Sequence, residues 1–164
     1  MKTKLFLLAA TAAFVGLPAQ AQTEIQFWHS MTGALGDRIA EMANGYNASQ
    51  KEFKVVPVYK GSYPESMTAA IAAFRAGNNP HIVQMFEVGT ATMMAAKGAI
   101  KPVYQLMKEA GQPFDPKAYL PAVAGYYTDR KGNMLSFPFN SSTTVFYINK
   151  DAFKKAGLDP SKAP

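Results

Sequence analysis

The sequence predicts an α/β fold: a mostly parallel sheet flanked by helices. Three observations lead there. Strand-like runs alternate with stretches of helical periodicity, and the links between them are short. One run, "HIVQMFEVG", is almost continuously apolar, as in a sheet covered on both faces. The 164 residues include no cysteine, so stability must come from a packed core, and 48% hydrophobic with 17% charged residues is enough to build one.

Each element has its own signal. "EIQFWHS", Glu24 to Ser30, alternates roughly and reads as the first strand. "TGALGDRIAEMANGYNASQ" follows, with Leu35, Ile39, Met42 and Tyr46 at three- and four-residue spacing. That is an amphipathic helix, whose end Asn44-Gly45 should weaken. "FKVVPVYK", Phe53 to Lys60, is a second strand, and Pro57 argues for an edge position or a bulge.

A helix then starts at Ser62 or Tyr63, with Pro64 in its first turn, and Gly77-Asn78-Asn79-Pro80 stops it. "HIVQMFEVG" is the third strand; "TATMMAAKGAI" and "PVYQLMKEAG" are helices. "AGYYTDRKGNMLSFPF" reads as a hairpin turning at Asp129 to Asn133. "TVFYINK" is a further strand, and "DAFKKAGLDP" a helix ending at Gly157.

The N-terminus carries an export leader. Lys2 and Lys4 precede the apolar run Leu5 to Leu17, Pro18 breaks it, and Ala19-Gln20-Ala21 is a small-x-small cleavage signal. The run is shorter than the roughly 20 apolar residues that a membrane span needs. Cleavage is expected after Ala21, giving an exported mature chain from Gln22. An exported chain without cysteine has neither a disulfide framework nor a thiolate metal site. Two lysines leave with the leader, so fifteen basic residues face eleven acidic ones, a mature charge of +4. The basic residues are scattered, which argues against nucleic acid as a partner. A small anion is compatible with that balance.

In open parallel sheets, ligands bind beyond the carboxyl ends of the strands. Those ends are His29-Ser30, Tyr59 to Tyr63, Glu87 to Thr90 and Asn140 to Thr144. Among the polar residues there, Tyr63, Glu87 and Ser142 are the candidates, and each has a bland alternative. Tyr63 either staples a helix end or presents a phenol beside a helix N-terminus, where anions are favoured. Glu87, expected at a strand exit, is either a solvated carboxylate or an acceptor for ligand hydroxyls. Ser142, in the run Ser141-Ser142-Thr143-Thr144, either makes a hydroxyl turn or donates to a phosphate or polyol.

Catalytic signatures are missing: no G-x-S-x-G elbow, HExxH, P-loop or paired-carboxylate motif occurs. His29 has no acidic residue at a telling spacing, His81 heads a strand, and Met93-Met94 reads as core filling.

Four blocks carry a resemblance: "FWHSMTG", "VYKGSYPE", "AAFRAGNNPHIVQMFEVGTATMM" and "SFPFNSSTTVFYINKDAFKKAGLDP". They resemble the extracellular solute-binding proteins of ABC uptake systems, a family that includes maltose-binding protein, and within it the glycerol-phosphate receptors. Pro138, Tyr147, Asn149, Lys150, Asp151, Phe153 and Ala156-Gly157 match the family block. Thr144 and Ile148 depart from it, at positions the resemblance does not assign to ligand.

The resemblance implies a two-lobed, type II periplasmic-binding-protein fold that closes on its ligand by hinge motion, with only the first lobe and the start of the second in this chain. Residues 22–139 would be the N-terminal lobe and residues 140–164 the crossover and the start of the second. It implies a monomeric receptor without cofactor, metal or catalytic residues. Its ligand would be sn-glycerol 3-phosphate, possibly also glycerophosphodiesters, delivered to membrane permease subunits. Tyr63, Glu87 and Ser142 would be the first-lobe contacts, and an arginine that neutralises phosphate would lie beyond Pro164. The other readings are a receptor for another solute, such as an oligosaccharide, and a periplasmic hydrolase using His29 and Ser142.

Overall fold

The computed structural model describes residues 22–96 and 98–162; the expected leader, residues 1–21, lies outside them. The chain packs as two compact units, one ending at Gly89 and the other beginning at Thr90.

The first unit is a three-stranded parallel sheet with helices in its crossovers. Strand β1 (Thr23–His29) leads to helix α1 (Gly33–Ser49), then β2 (Phe53–Tyr59), helix α2 (Tyr63–Arg75) and β3 (Ile82–Val83). The order is β2-β1-β3, all parallel, so β2 is an edge of the described sheet and Pro57 stands where it was expected.

Residues of the open edge are covered one by one. Gln50 Oε1 accepts the Phe53 N–H at 2.8 Å, and its Nε2 donates to the Phe53 carbonyl at 2.6 Å. Asn47 Oδ1 accepts the Val55 N–H at 2.7 Å, and its Nδ2 donates to the Val55 carbonyl at 2.8 Å. Phe53 and Val55 therefore aim their peptide groups away from β1. Pro57, two residues on, aims the same way and has no N–H to expose. An edge capped like this is a poor template for a foreign strand.

The same contacts explain why α1 passes through Asn44-Gly45 to Ser49 instead of weakening there. Asn47 ties its last turn to β2. The apolar stripe of α1 is narrower than its periodicity suggested: Ile39 and Ala43 are buried, while Leu35, Met42 and Tyr46 are exposed. Helix α2 starts at Ser62 as read from the sequence. The Glu65 carboxylate accepts the Ser62 N–H at 2.6 Å and the Ser62 hydroxyl at 2.7 Å, so the helix start closes on its own side chains. Gly77, at φ 68°, takes the left-handed conformation that ends it.

Two strand assignments are corrected. "HIVQMFEVG" contributes only Ile82–Val83 to the sheet, with Ile82 exposed, and Glu87 opens helix α3 (Glu87–Ala95) instead of closing a strand. An apolar run of this length fits strand or helix equally, and here the helix takes its second half. "TVFYINK" is not a strand: residues 141–149 have no regular structure, and Val145, Phe146 and Tyr147 are exposed. A strand exists by pairing, and among the described residues this segment has no ladder partner.

The second unit continues α3 and adds α4 (Val103–Glu109), the short α5 (Pro121–Ala124) and α6 (Lys150–Lys155). The expected hairpin is reduced to one antiparallel bridge, Thr128 with Met134. Asp129 closes its turn by accepting the N–H groups of Lys131 and Asn133. Its carboxyl is held below the ordinary value, first by the Asn133 side chain. Met134 is fully buried, and it and Leu135 accept the first N–H groups of α4. Asn149 caps α6 by accepting from Asp151 and Ala152, and Gly157 follows its end at φ 74°. Among the described residues no helix is long and apolar enough to cross a membrane.

Candidate binding site at the carboxyl edge of the sheet

The parallel strands of the first unit deliver their carboxyl ends, and the N-termini of α2 and α3 follow directly from them. At β1, Ser30 donates its N–H to Gln84 Oε1 at 3.1 Å, and Gln84 donates its own N–H to the Trp28 carbonyl at 2.8 Å. Gln84 is buried and so fixes the segment leaving β3 against the end of β1. At β2, the Lys60 N–H donates to the His29 carbonyl at 2.9 Å, and Lys60 Nζ stands 3.9 Å from the Trp28 ring centre. Among the described residues the buried hydroxyls of Ser30 and Ser66, both in the first unit, find no hydrogen-bond partner.

Tyr63 packs against Phe86, the residue before Glu87, which the sequence reading did not single out. The Tyr63 ring stacks on Phe86, with centroids 5.3 Å apart and planes 12° apart. Phe86 immediately precedes Glu87. The first residue of α2 is thereby joined by a ring contact to the residue just before α3. Tyr63 is half-buried with its apolar body covered, and Glu87 is exposed. The available signal was the aromatic directly before the acid in "MFEVG"; within an apolar run it reads as core. Tyr63 packs at the helix start, and that packing neither selects nor dismisses the reading of its phenol as a ligand contact.

Ser142 stands in the second unit, exposed on the segment without regular structure. Position there neither selects nor dismisses the turn reading.

His29 is buried among the rings of Phe27 and Tyr59 at 5.9 and 6.2 Å, and Met31 donates its N–H to His29 Nδ1 at 3.3 Å. Burial lowers its pKa from the ordinary 6.5. Glu65 is likewise held below its ordinary value, first by the Ser62 hydroxyl and then by the Ser62 N–H. That carboxylate occupies the positive end of α2, where an anion would otherwise be favoured. Among the described residues no three His, Asp or Glu cluster closely enough to hold a metal ion.

Comparison with known proteins agrees with this architecture. Residues 30–164 match the family described as bacterial extracellular solute-binding protein. The chain is 58% identical over 158 residues to the sn-glycerol-3-phosphate-binding periplasmic protein UgpB of Salmonella typhimurium, covering 96% of this chain and 36% of that protein. It is 60% identical over 147 residues to the protein of the same name from Yersinia pestis, covering 89% and 33%. The chain thus spans about a third of the length of these curated relatives. A solved structure, CpMnBP1 with mannotriose bound, superposes on 87% of this chain and 35% of its own at a TM-score of 0.62 and 22% identity, which speaks to the fold alone. The match over residues 30–164, the parallel sheet and the two long relatives together place the chain in the bacterial extracellular solute-binding protein family.

Proposed function

We propose that this chain is part of a periplasmic receptor that captures sn-glycerol 3-phosphate and delivers it to the permease of an ABC importer. In this reading residues 22–139 belong to the first lobe, and residues 140–164 to the crossover and the start of the second. Tyr63, Glu87 and Ser142 are its contacts with the ligand. Residues 1–21 direct export and are removed.

The observation that carries the reading is the Tyr63–Phe86–Glu87 arrangement at the carboxyl edge, in a chain 58% identical to a receptor named for this ligand. The chemistry suits it. A glycerol phosphate offers an anion and two hydroxyls. Glu87 accepts from the hydroxyls, and Tyr63 and Ser142 donate to oxygen or accept from it. The carboxylates of Glu87 and of Glu65, at the mouth of α2, repel a phosphate from this edge, so the glycerol end is the one it receives. Binding and release need no covalent step, and the protein acts as a receptor, not an enzyme.

The test joins residues 22–164 in frame to the remaining C-terminal portion of the Salmonella typhimurium relative and titrates the purified chimera by calorimetry. Saturable binding of sn-glycerol 3-phosphate, with mannotriose and maltose silent, is expected. Binding of the oligosaccharides with glycerol 3-phosphate silent would overturn the reading.

A further inference from the structure

Gly89 lies in the first turn of α3, two residues after Glu87. Its φ is not positive, so the backbone does not demand glycine. Space does. A Cβ at this position would lie 2.7 Å from Met67 Sδ, 2.9 Å from Met85 Sδ and 2.9 Å from Phe86 Cε1. All three are closer than real Cβ atoms come to a neighbour. Gly89 is also buried, so none of the three can be relieved by simple displacement of water.

The three neighbours differ in what their displacement does. The two sulfurs are ends of flexible side chains and can move at little cost. Phe86 cannot yield alone, because its ring lies against Tyr63 at 5.3 Å and 12°. We infer that Gly89 is a positioning residue of the binding site: by lacking a Cβ it lets Phe86 lie where the Tyr63 ring stacks on it, and so sets the phenol relative to Glu87. This rests on the reading of Tyr63 and Glu87 as ligand contacts. It adds that Gly89, which touches no ligand, is required for their geometry.

Gly89→Ala separates this role from a purely structural one, because the clashing atoms are all side-chain ends and the chain can fold around them. In the purified chain, the ring proton shifts of Tyr63 should move in Gly89→Ala. They should stay in place in Gly45→Ala, a helical glycine with nothing within 4 Å of its Cβ position. In the chimera, Gly89→Ala should weaken sn-glycerol 3-phosphate binding by about tenfold or more, the equilibrium equivalent of moderate overpacking. Gly45→Ala should bind as the parent does.

Unmoved Tyr63 resonances overturn the inference, and so does a moved ring with unchanged affinity. If Gly89→Ala does not fold, Phe86→Leu decides: a tenfold loss of binding supports the inference, and parental affinity overturns it. A parent chimera that binds no glycerol 3-phosphate is a failure of the functional reading instead, and the Tyr63 shifts in the chain still test the positioning.

Discussion

Tyr63 and Phe86 lie nearly parallel, 5.3 Å between ring centres, although they are separated in the chain by all of α2 and β3. The contact holds one helix start against another. The Tyr63 hydroxyl and the Glu87 carboxylate, on the residue that follows Phe86, are the polar groups that these two helix starts carry.

The first prediction concerns those two groups in the chimera. Glu87→Ala should weaken sn-glycerol 3-phosphate binding by about 1–3 kcal/mol, the usual loss for a hydrogen bond to a charged group. Tyr63→Phe keeps the stack and removes only the hydroxyl, so its loss should be nearer 1 kcal/mol. Calorimetry giving parental affinity for both variants would remove these residues from the site.

The second prediction is about the sheet edge. Asn47 bonds both peptide groups of Val55, at 2.7 and 2.8 Å. In Asn47→Ala the Val55 N–H and carbonyl lose their partners and the end of α1 loses its tie to β2. Chemical denaturation should show a loss of about 1–3 kcal/mol. Light scattering should show faster aggregation, because the uncovered groups template another strand. A variant as stable and as soluble as the parent would show the clamp to be incidental.

His29 sets a pH dependence. Its pKa is lowered in the fold by burial, while in the unfolded chain it lies near 6.5. Between those two values the unfolded state holds a proton that the folded state does not. Stability therefore rises with pH across that window. It is fully present above 6.5, falls as the pH drops below it, and levels off below the folded-state pKa. Thermal melts at pH 7.5 and 5.5 should show a lower Tm at the acid end, and His29→Gln should reduce the difference. An equal pH difference in the two proteins would mean that other groups carry it.

The last prediction concerns residues 22–164 by themselves. Glu87 and Ser142 are exposed, and Val145, Phe146 and Tyr147 are exposed on a segment without regular structure, so water reaches the proposed contacts. Hydrogen bonds at such a site compete with water. Affinity for sn-glycerol 3-phosphate should be weaker than about millimolar. Trp28 fluorescence and calorimetry check this, and micromolar saturable binding would locate the whole site within these residues.

The sequence by itself determined what depends on neighbours along the chain. β1, α1 and β2 follow from periodicity, Pro57 from its missing N–H, the start of α2 from Ser62 and Pro64, and the ends of α2 and α6 from Gly77 and Gly157. These are local effects of sterics and capping, and they act wherever the residues occur. The carboxyl-edge location of Tyr63 and Glu87 was legible too, because a parallel crossover puts the next helix start there whatever the side chains are.

Tertiary structure alone decided the remainder. "TVFYINK" has every property of a strand except a partner, and pairing is not a property of the segment. "MFEVG" became a helix start, because an apolar run fits strand or helix and packing against α2 chooses. Leu35, Met42 and Tyr46 share a helical period with Ile39, yet only Ile39 is buried, since the width of a buried stripe depends on what covers it. The Tyr63–Phe86 stack and the space that Gly89 leaves for it join residues far apart in sequence, and contacts of that kind form only when the elements carrying them pack.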